Sequence, residues 1–181
     1  KASVAPLDVP VLGQVFTPAQ TVEHMLGLIR STAGRTLEPS AGNGAFSARL
    51  PGCVSIEFDE RVAPEGALVM DFFDYPLSEQ FDTIIGNPPY VRYQSIGATT
   101  RARLPQGVLD QRSNLYLFFI LKCLAHLKPG GELIFIVPRD FMKLTSAAPL
   151  NRLLFAQGAF THFEETGDRA IFAGACPNCV I

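Results

Sequence analysis

Short runs of β-branched and aromatic residues recur along these 181 residues, each separated from the next by a turn or by a stretch of helical periodicity. The runs lie in RTLEPSAGNGAF, CVSIEFDE, GALVMDFFD, FDTIIGNPPY, ELIFIVP and FTHFEET, and the chain stops at NCVI as though opening a seventh. Strands that alternate with helices bury both faces of one sheet. The pattern therefore predicts an α/β fold of Rossmann-like type, a mostly parallel central sheet with helices on both faces, truncated in its last strand.

The helices carry their own signals. In FTPAQTVEHMLGLIR, Thr17 can cap, Pro18 suits the first helical position and Gln20 completes a capping box, while Val22, Met25, Leu26 and Ile29 share one face. A second helix is expected to open directly after the glycine turn of LEPSAGNGAF. SNLYLFFILKCLAHLKPGG reads as a helix apolar nearly all round, capped by Ser113 or Asn114 and closed by Pro129 and the glycines after it, so it must be buried. SAAPLNRLLFAQG makes a further helix, whereas RVAPEG is too short for a crossover helix.

With 48% hydrophobic residues, the chain is long enough for one domain, residues 1–181, with a true core. Its longest apolar run, LYLFFILKCLAHL, is interrupted by Lys122 and His126 and falls short of a ~20-residue membrane span. No signal peptide precedes it, so a cytoplasmic protein is expected. The net charge of −2 and the pI near 5.9 lack the positive excess of a free-standing nucleic-acid binder. Such a partner must be met locally. Arg92, Arg101, Arg103 and Arg112 do cluster after NPPY, in a stretch with no acid before Asp110, either to meet phosphates or as a solvated loop. CPNC, Cys176 to Cys179, is only half a zinc site, and His24, His126 and His162 form no metal or triad pattern. These groups are expected to be structural, with no bound metal.

In an open α/β sheet, ligands bind beyond the carboxyl ends of the strands, and the unusual residues all fall there. Gly42 and Gly44 follow the first strand and allow a tight turn close to a ligand. Glu57 closes the second strand nineteen residues after Glu38, where an acid can accept both hydroxyls of a ribose. Asp71 closes the third strand with Phe72 behind it, an acceptor beside an apolar face suited to adenine. Three acids in register fit an adenosine-containing cofactor. The GxGxxG fingerprint is incomplete, since Ser47 occupies the place of the third glycine, so S-adenosylmethionine fits better than a nicotinamide dinucleotide.

The fourth strand ends on a rigid corner. Two prolines fix φ and bias the residue before each toward extended geometry, so Asn87 has little freedom. Its amide oxygen and the Pro88 carbonyl can then act as a pair of acceptors, and proline brings no competing N–H. Such a pair suits an exocyclic amino group. Tyr90 offers a flat face to the ring bearing that amine, and stacking of this kind contributes about 1–3 kcal/mol.

At these residues the sequence resembles the amino-group DNA methyltransferases, specifically the adenine-N6 methyltransferases of restriction-modification systems whose cofactor motifs come first. GQVFTP is similar to the family's N-terminal cofactor motif, LEPSAGNGAF to its glycine loop, IEFD and DFF to its ribose and adenine contacts, and NPPY to its catalytic motif. RAIFAGACPNCVI resembles the segment whose phenylalanine touches the target base. The resemblance implies that Phe16 and Thr17 meet the methionine end of the cofactor. Glu38, Pro39, Ser40, Ala41, Gly42 and Gly44 would line its methionine and sulfonium region, Glu57 its ribose, and Phe58, Asp71 and Phe72 its adenine. Asn87, Pro88, Pro89 and Tyr90 would act on the target base, with Phe172 pressing on its other edge or face.

NPPY alone is shared with methyltransferases acting on protein glutamine or on guanine in RNA. Those usually carry a DxGxGxG loop without FTP before it, so EPSAGNG together with FTP favours DNA. Double-stranded DNA would then be met through a C-terminal recognition region absent from this chain, and a cognate restriction endonuclease is an implied partner. A cofactor-binding fragment without activity of its own stays open as an alternative.

Overall fold

The structure, a computed structural model, describes residues 16–31, 33–166 and 178–181. Phe172, Cys176 and the residues before Phe16 lie outside the described part. In chain order the elements are α1 (Ala19–Gly27), β1 (Thr36–Glu38), β2 (Val54–Glu57), β3 (Leu68–Val69), β4 (Phe81–Gly86), α2 (Ala98–Arg101) and α3 (Leu115–His126). β5 (Leu127–Pro138), α4 (Ala148–Gln157), β6 (Glu164–Glu165) and β7 (Asn178–Val180) follow. The seven strands form one sheet in the order β3-β2-β1-β4-β5-β7-β6. β1 to β5 pair in parallel, and β7 runs antiparallel between β5 and β6.

Side chains alternate across the sheet with the period of two that a strand imposes. Ile84 of β4, Phe135 and Val137 of β5 and Cys179 of β7 pack into a core with α3. Their neighbours Ile85, Ile134, Ile136 and Val180 pack with Val22 and Met25 of α1. Helices thus cover both faces, as the pattern predicts. α3 is the more deeply placed: Leu117, Phe118, Ile120 and Cys123 have no exposed surface, and each such large apolar side chain contributes roughly 1.5–3 kcal/mol on burial.

Four local expectations differ from the structure. α1 begins at Ala19 after Pro18, with no side-chain cap, so Thr17 lies one residue too early to serve its first turn and bonds elsewhere. The helix expected after the glycine turn is a single 3-10 turn, Ser47–Arg49, ended by an extended Leu50, because Pro51 disfavours helical geometry in the residue before it. α3 is capped by Asn114, whose side chain accepts from the Tyr116 N–H at 3.4 Å, but it ends at His126 rather than at Pro129. Leu127 is already paired with Phe81 in the sheet, and Pro129 biases Lys128 toward extended geometry. The strand expected across FTHFEET is reduced to Glu164 and Glu165.

Candidate active site

Strand order reverses between β1 and β4, and a cavity of about 340 Å³ opens there beyond the carboxyl ends of β1, β2 and β4. Its walls include Phe16, Thr17, Glu38, Pro39, Ser40, Ala41 and Gly42, then Glu57, Phe58, Asp71 and Phe72, and Asn87 and Pro89 of the corner. Sequence spacing therefore brings most of the expected residues together. Gly44, Pro88, Tyr90 and the four arginines are not among the lining residues.

The loop after β1 turns through Gly42 (φ +54) and Gly44 (φ +78), conformations that a Cβ makes costly. At Gly44 a Cβ would also sit 2.9 Å from that of Pro64. Gly44 thus serves the packing of the loop on the chain after β2 and does not reach the cavity. Gly42 does, and its N–H donates to Glu57 Oε2 at 2.7 Å. Glu57 Oε1 accepts from the Asp59 N–H at 2.9 Å, so this buried acid ties β2 to the glycine loop.

Glu38 is 1% exposed. Its Oε2 accepts from the Ser47 N–H at 2.8 Å and its Oε1 from that of Phe46 at 3.4 Å, which places a carboxyl over the start of the 3-10 turn. Burial pushes its pKa up to about 7, the bonds to Ser47 and Phe46 work against that rise, and the neighbouring Glu57 charge adds to it. Acids shifted this far by burial cluster at functional sites.

The NPPY corner is fixed from two sides. Asn87 Nδ2 donates to Thr17 Oγ1 at 3.3 Å, and the Asn87 carbonyl accepts from Ser40 Oγ at 3.0 Å. The hydroxyl that α1 does not use as a cap is thus spent on the corner. Pro88 is buried beneath it, and Pro89 faces the cavity. The Tyr90 hydroxyl donates to the Ile136 carbonyl at 2.7 Å and accepts from Asn178 Nδ2 at 3.1 Å. Its ring stands edge to face with Tyr116, centroids 5.7 Å apart. Asn178, fully buried, is a site residue that sequence reasoning missed, since nothing in NCVI marks it as Tyr90's neighbour.

The segment after the corner holds a second surprise. Val91, Ser95, Ile96, Gly97 and Thr100 line the cavity, with Val91 and Ile96 buried. Two aliphatic residues in an otherwise polar loop were the available signal. The Thr100 hydroxyl donates to Asp71 Oδ2 at 2.6 Å, and Asp71 Oδ1 accepts from the Phe73 N–H at 3.0 Å. Arg103 belongs to this arrangement, with Nε 2.7 Å from Asp74 Oδ1 and Nη1 3.6 Å from Asp71 Oδ2. The arginines accordingly do not form one patch. Arg112 pairs with Asp110 in solvent, Arg101 lies over the Tyr93 ring at 5.2 Å, and Arg92 is exposed.

Phe72 is buried with its ring against Phe119 at 5.1 Å, and Phe16 and Phe58 flank the cavity, each more than half exposed. Behind Phe72, Lys122 Nζ donates to the Tyr75 carbonyl at 2.9 Å, and burial lowers its pKa to about 8. His126 Nδ1 donates to the Glu79 carbonyl at 2.8 Å, and burial pushes its pKa down. Burial raises the thiols of Cys123 and Cys179, the latter to about 12, which makes them poor nucleophiles. Among the described residues no cluster of three His, Cys, Asp or Glu could hold a metal, and no helix is long and apolar enough to cross a membrane.

The profile of the Eco57I restriction-modification methylase family matches residues 57–172. The chain belongs to this family. Among its relatives is the type II methyltransferase M.HincII of Haemophilus influenzae, 32% identical over 185 residues, covering 94% of this chain and 36% of that protein. The type II methyltransferase M.TthHB8I of Thermus thermophilus is 32% identical over 172 residues, covering 81% of this chain and 39% of that protein. The chain thus spans little more than a third of their length. Its fold is shared with a structure from Listeria monocytogenes assigned to the class I S-adenosylmethionine-dependent methyltransferases, at TM-score 0.73 and 15% identity over 93% of this chain and 60% of that one. The methyltransferase subunit of a type I restriction-modification system from Streptococcus thermophilus superposes at TM-score 0.65, with 17% identity over 92% of this chain and 44% of that one.

Proposed function

We propose that this chain is the cofactor-binding and catalytic part of a restriction-modification DNA methyltransferase that methylates the N6 amine of adenine in duplex DNA, with S-adenosylmethionine as donor. The observation that carries this is the junction at the strand-order reversal. There Asn87 is bonded to both Thr17 and Ser40 at the wall of a cavity that Glu38, Glu57 and Asp71 also line.

The residues suit that donor. Its sulfonium and ammonium groups are cations, and a buried carboxyl with a pKa near 7 is one that a cation would ionise. Glu57 lines the cavity with a carboxylate of the kind that accepts ribose hydroxyls, Asp71 suits an adenine amine, and the N–H groups at the start of α1 suit a carboxylate. Bound there, S-adenosylmethionine would supply an electrophilic methyl group.

An adenine stacked inside duplex DNA cannot reach this corner, so it must be flipped out, at a cost of a few kcal/mol. Tyr90 offsets part of that cost by stacking, with its hydroxyl end held by Ile136 and Asn178. The Asn87 amide oxygen and the Pro88 carbonyl accept the two N6 hydrogens, which draws the nitrogen lone pair out of conjugation with the ring. The Nδ2 contact to Thr17 supports this because it holds the Asn87 side chain at the wall of the cavity. No covalent intermediate with the protein is required, and catalysis is positioning plus oriented dipoles. Arg92 and Arg101 are the candidate phosphate contacts, Phe172 is carried as a base contact by the resemblance of its segment alone, and a restriction endonuclease of the same sequence specificity is the companion activity.

The experiment is incubation of the protein with methyl-labelled S-adenosylmethionine and, separately, duplex DNA, RNA and protein, followed by analysis of the digests. Label in N6-methyl-2′-deoxyadenosine is expected. Label in an RNA base or in glutamine would overturn the assignment.

A further inference from the structure

We infer that residues 95–103 form a wall of the cofactor's adenine subsite, in which Thr100 and Arg103 are positioning residues that hold Asp71 as the acceptor for the adenine amine. Resting on the methyltransferase function proposed above, this moves Arg103 from the DNA surface, where the arginine cluster placed it, to the cofactor.

Asp71 sits at the end of β3 with its side chain 8% exposed, and both its oxygens are engaged. Oδ1 takes the Phe73 N–H within its own turn, and Oδ2 takes the Thr100 hydroxyl from a segment 29 residues further along the chain. Two donors from different directions fix the rotation of a carboxylate. They use two of its roughly four lone-pair sites, so an exocyclic amine can still be accepted. Arg103 holds the same segment in place through Asp74 and adds its charge on the Oδ2 side. Ile96, 4% exposed, anchors the segment on the apolar side, and Ile96 and Thr100 both line the cavity with Asp71. A loop that served only to reach DNA would need neither the buried isoleucine nor a hydroxyl aimed at the acid of the third strand.

Were the Thr100–Asp71 bond only a fastener for the loop, its loss would weaken all ligands of the cavity alike. A positioning role predicts a selective loss, because Asp71 recognises the amine alone. The test is titration calorimetry with S-adenosylhomocysteine and with its analogue lacking the 6-amino group on the purine. Thr100→Val is expected to bind S-adenosylhomocysteine about tenfold more weakly, as for loss of a hydrogen bond to a charged group, while affinity for the analogue stays within about twofold. Thr100→Ser should restore the difference between the ligands. Arg103→Ala, at a partly exposed position that does not threaten folding, should shift selectivity in the same direction and leave the salt dependence of DNA binding unchanged. Equal losses for the two ligands, or none, in variants that melt like the wild type would overturn the inference while leaving the cofactor assignment intact. A wild-type protein that binds neither ligand would overturn both.

Discussion

Replacing Glu38 by glutamine removes a charge that the fold tolerates poorly. Burial raises this carboxyl from its ordinary 4.5 to about 7, so the folded chain holds the proton more tightly than the unfolded chain does. A group of this kind contributes stability that is fully present below about 4.5 and is lost as pH rises through about 7. The gap of about 2.5 pH units, at about 1.4 kcal/mol each, corresponds to about 3 kcal/mol at pH 8. Glutamine keeps an acceptor for the Ser47 N–H but cannot ionise. Glu38→Gln is therefore expected to match the wild type near pH 4 and to exceed its stability by up to about 3 kcal/mol at pH 8. Urea denaturation followed by circular dichroism across that range measures the difference. Calorimetry adds a second reading, since an ionised Glu38 attracts a cationic ligand. Wild-type affinity for S-adenosylmethionine should rise relative to that of the variant as pH passes 7. Parallel stability curves for the two proteins would refute the claim that burial holds Glu38 protonated up to about pH 7.

Three further outcomes are expected. Gly44→Ala, which places a Cβ at φ +78 and 2.9 Å from that of Pro64, should cost about 1–3 kcal/mol, seen as a lowered Tm. Asn178→Ala removes a buried side chain and the donor to the Tyr90 hydroxyl; a loss of about 1–3 kcal/mol is expected in denaturant unfolding, with weaker stacking of a fluorescent base analogue. Charge reversal at Arg101 should flatten the dependence of DNA affinity on salt, because each lost phosphate contact releases about one counterion fewer, whereas Arg112→Ala at an exposed pair should leave the Tm unchanged.

The strand ends were legible because each β-branched run stops on a residue that a sheet interior does not need: Glu38, Glu57, Asp71 and Asn87. Their convergence follows from parallel pairing, which brings the carboxyl ends of β1, β2, β3 and β4 to one side. Local helix signals were less secure. AFSARL has helical residues, yet Pro51 ends it after one 3-10 turn, and Thr17 looks like a cap although its hydroxyl serves Asn87 across 70 residues. Contacts of that range leave no local trace. Arg103 shows the same limit, since its charge is visible in sequence but its partners, Asp71 and Asp74, are joined to it only by the fold. Asn178 bonds Tyr90 from 88 residues away, through a strand that runs antiparallel to β5 and that the short NCVI run could not orient.

The central claim is that the Asn87–Pro88 corner draws the lone pair of an adenine amine into reach of a methyl donor. Comparing Asn87→Ala with the wild type for both methyl transfer to duplex DNA and S-adenosylmethionine affinity tests it most directly. Transfer should be abolished while the cofactor still binds. A variant that methylates adenine at the wild-type rate would contradict the claim.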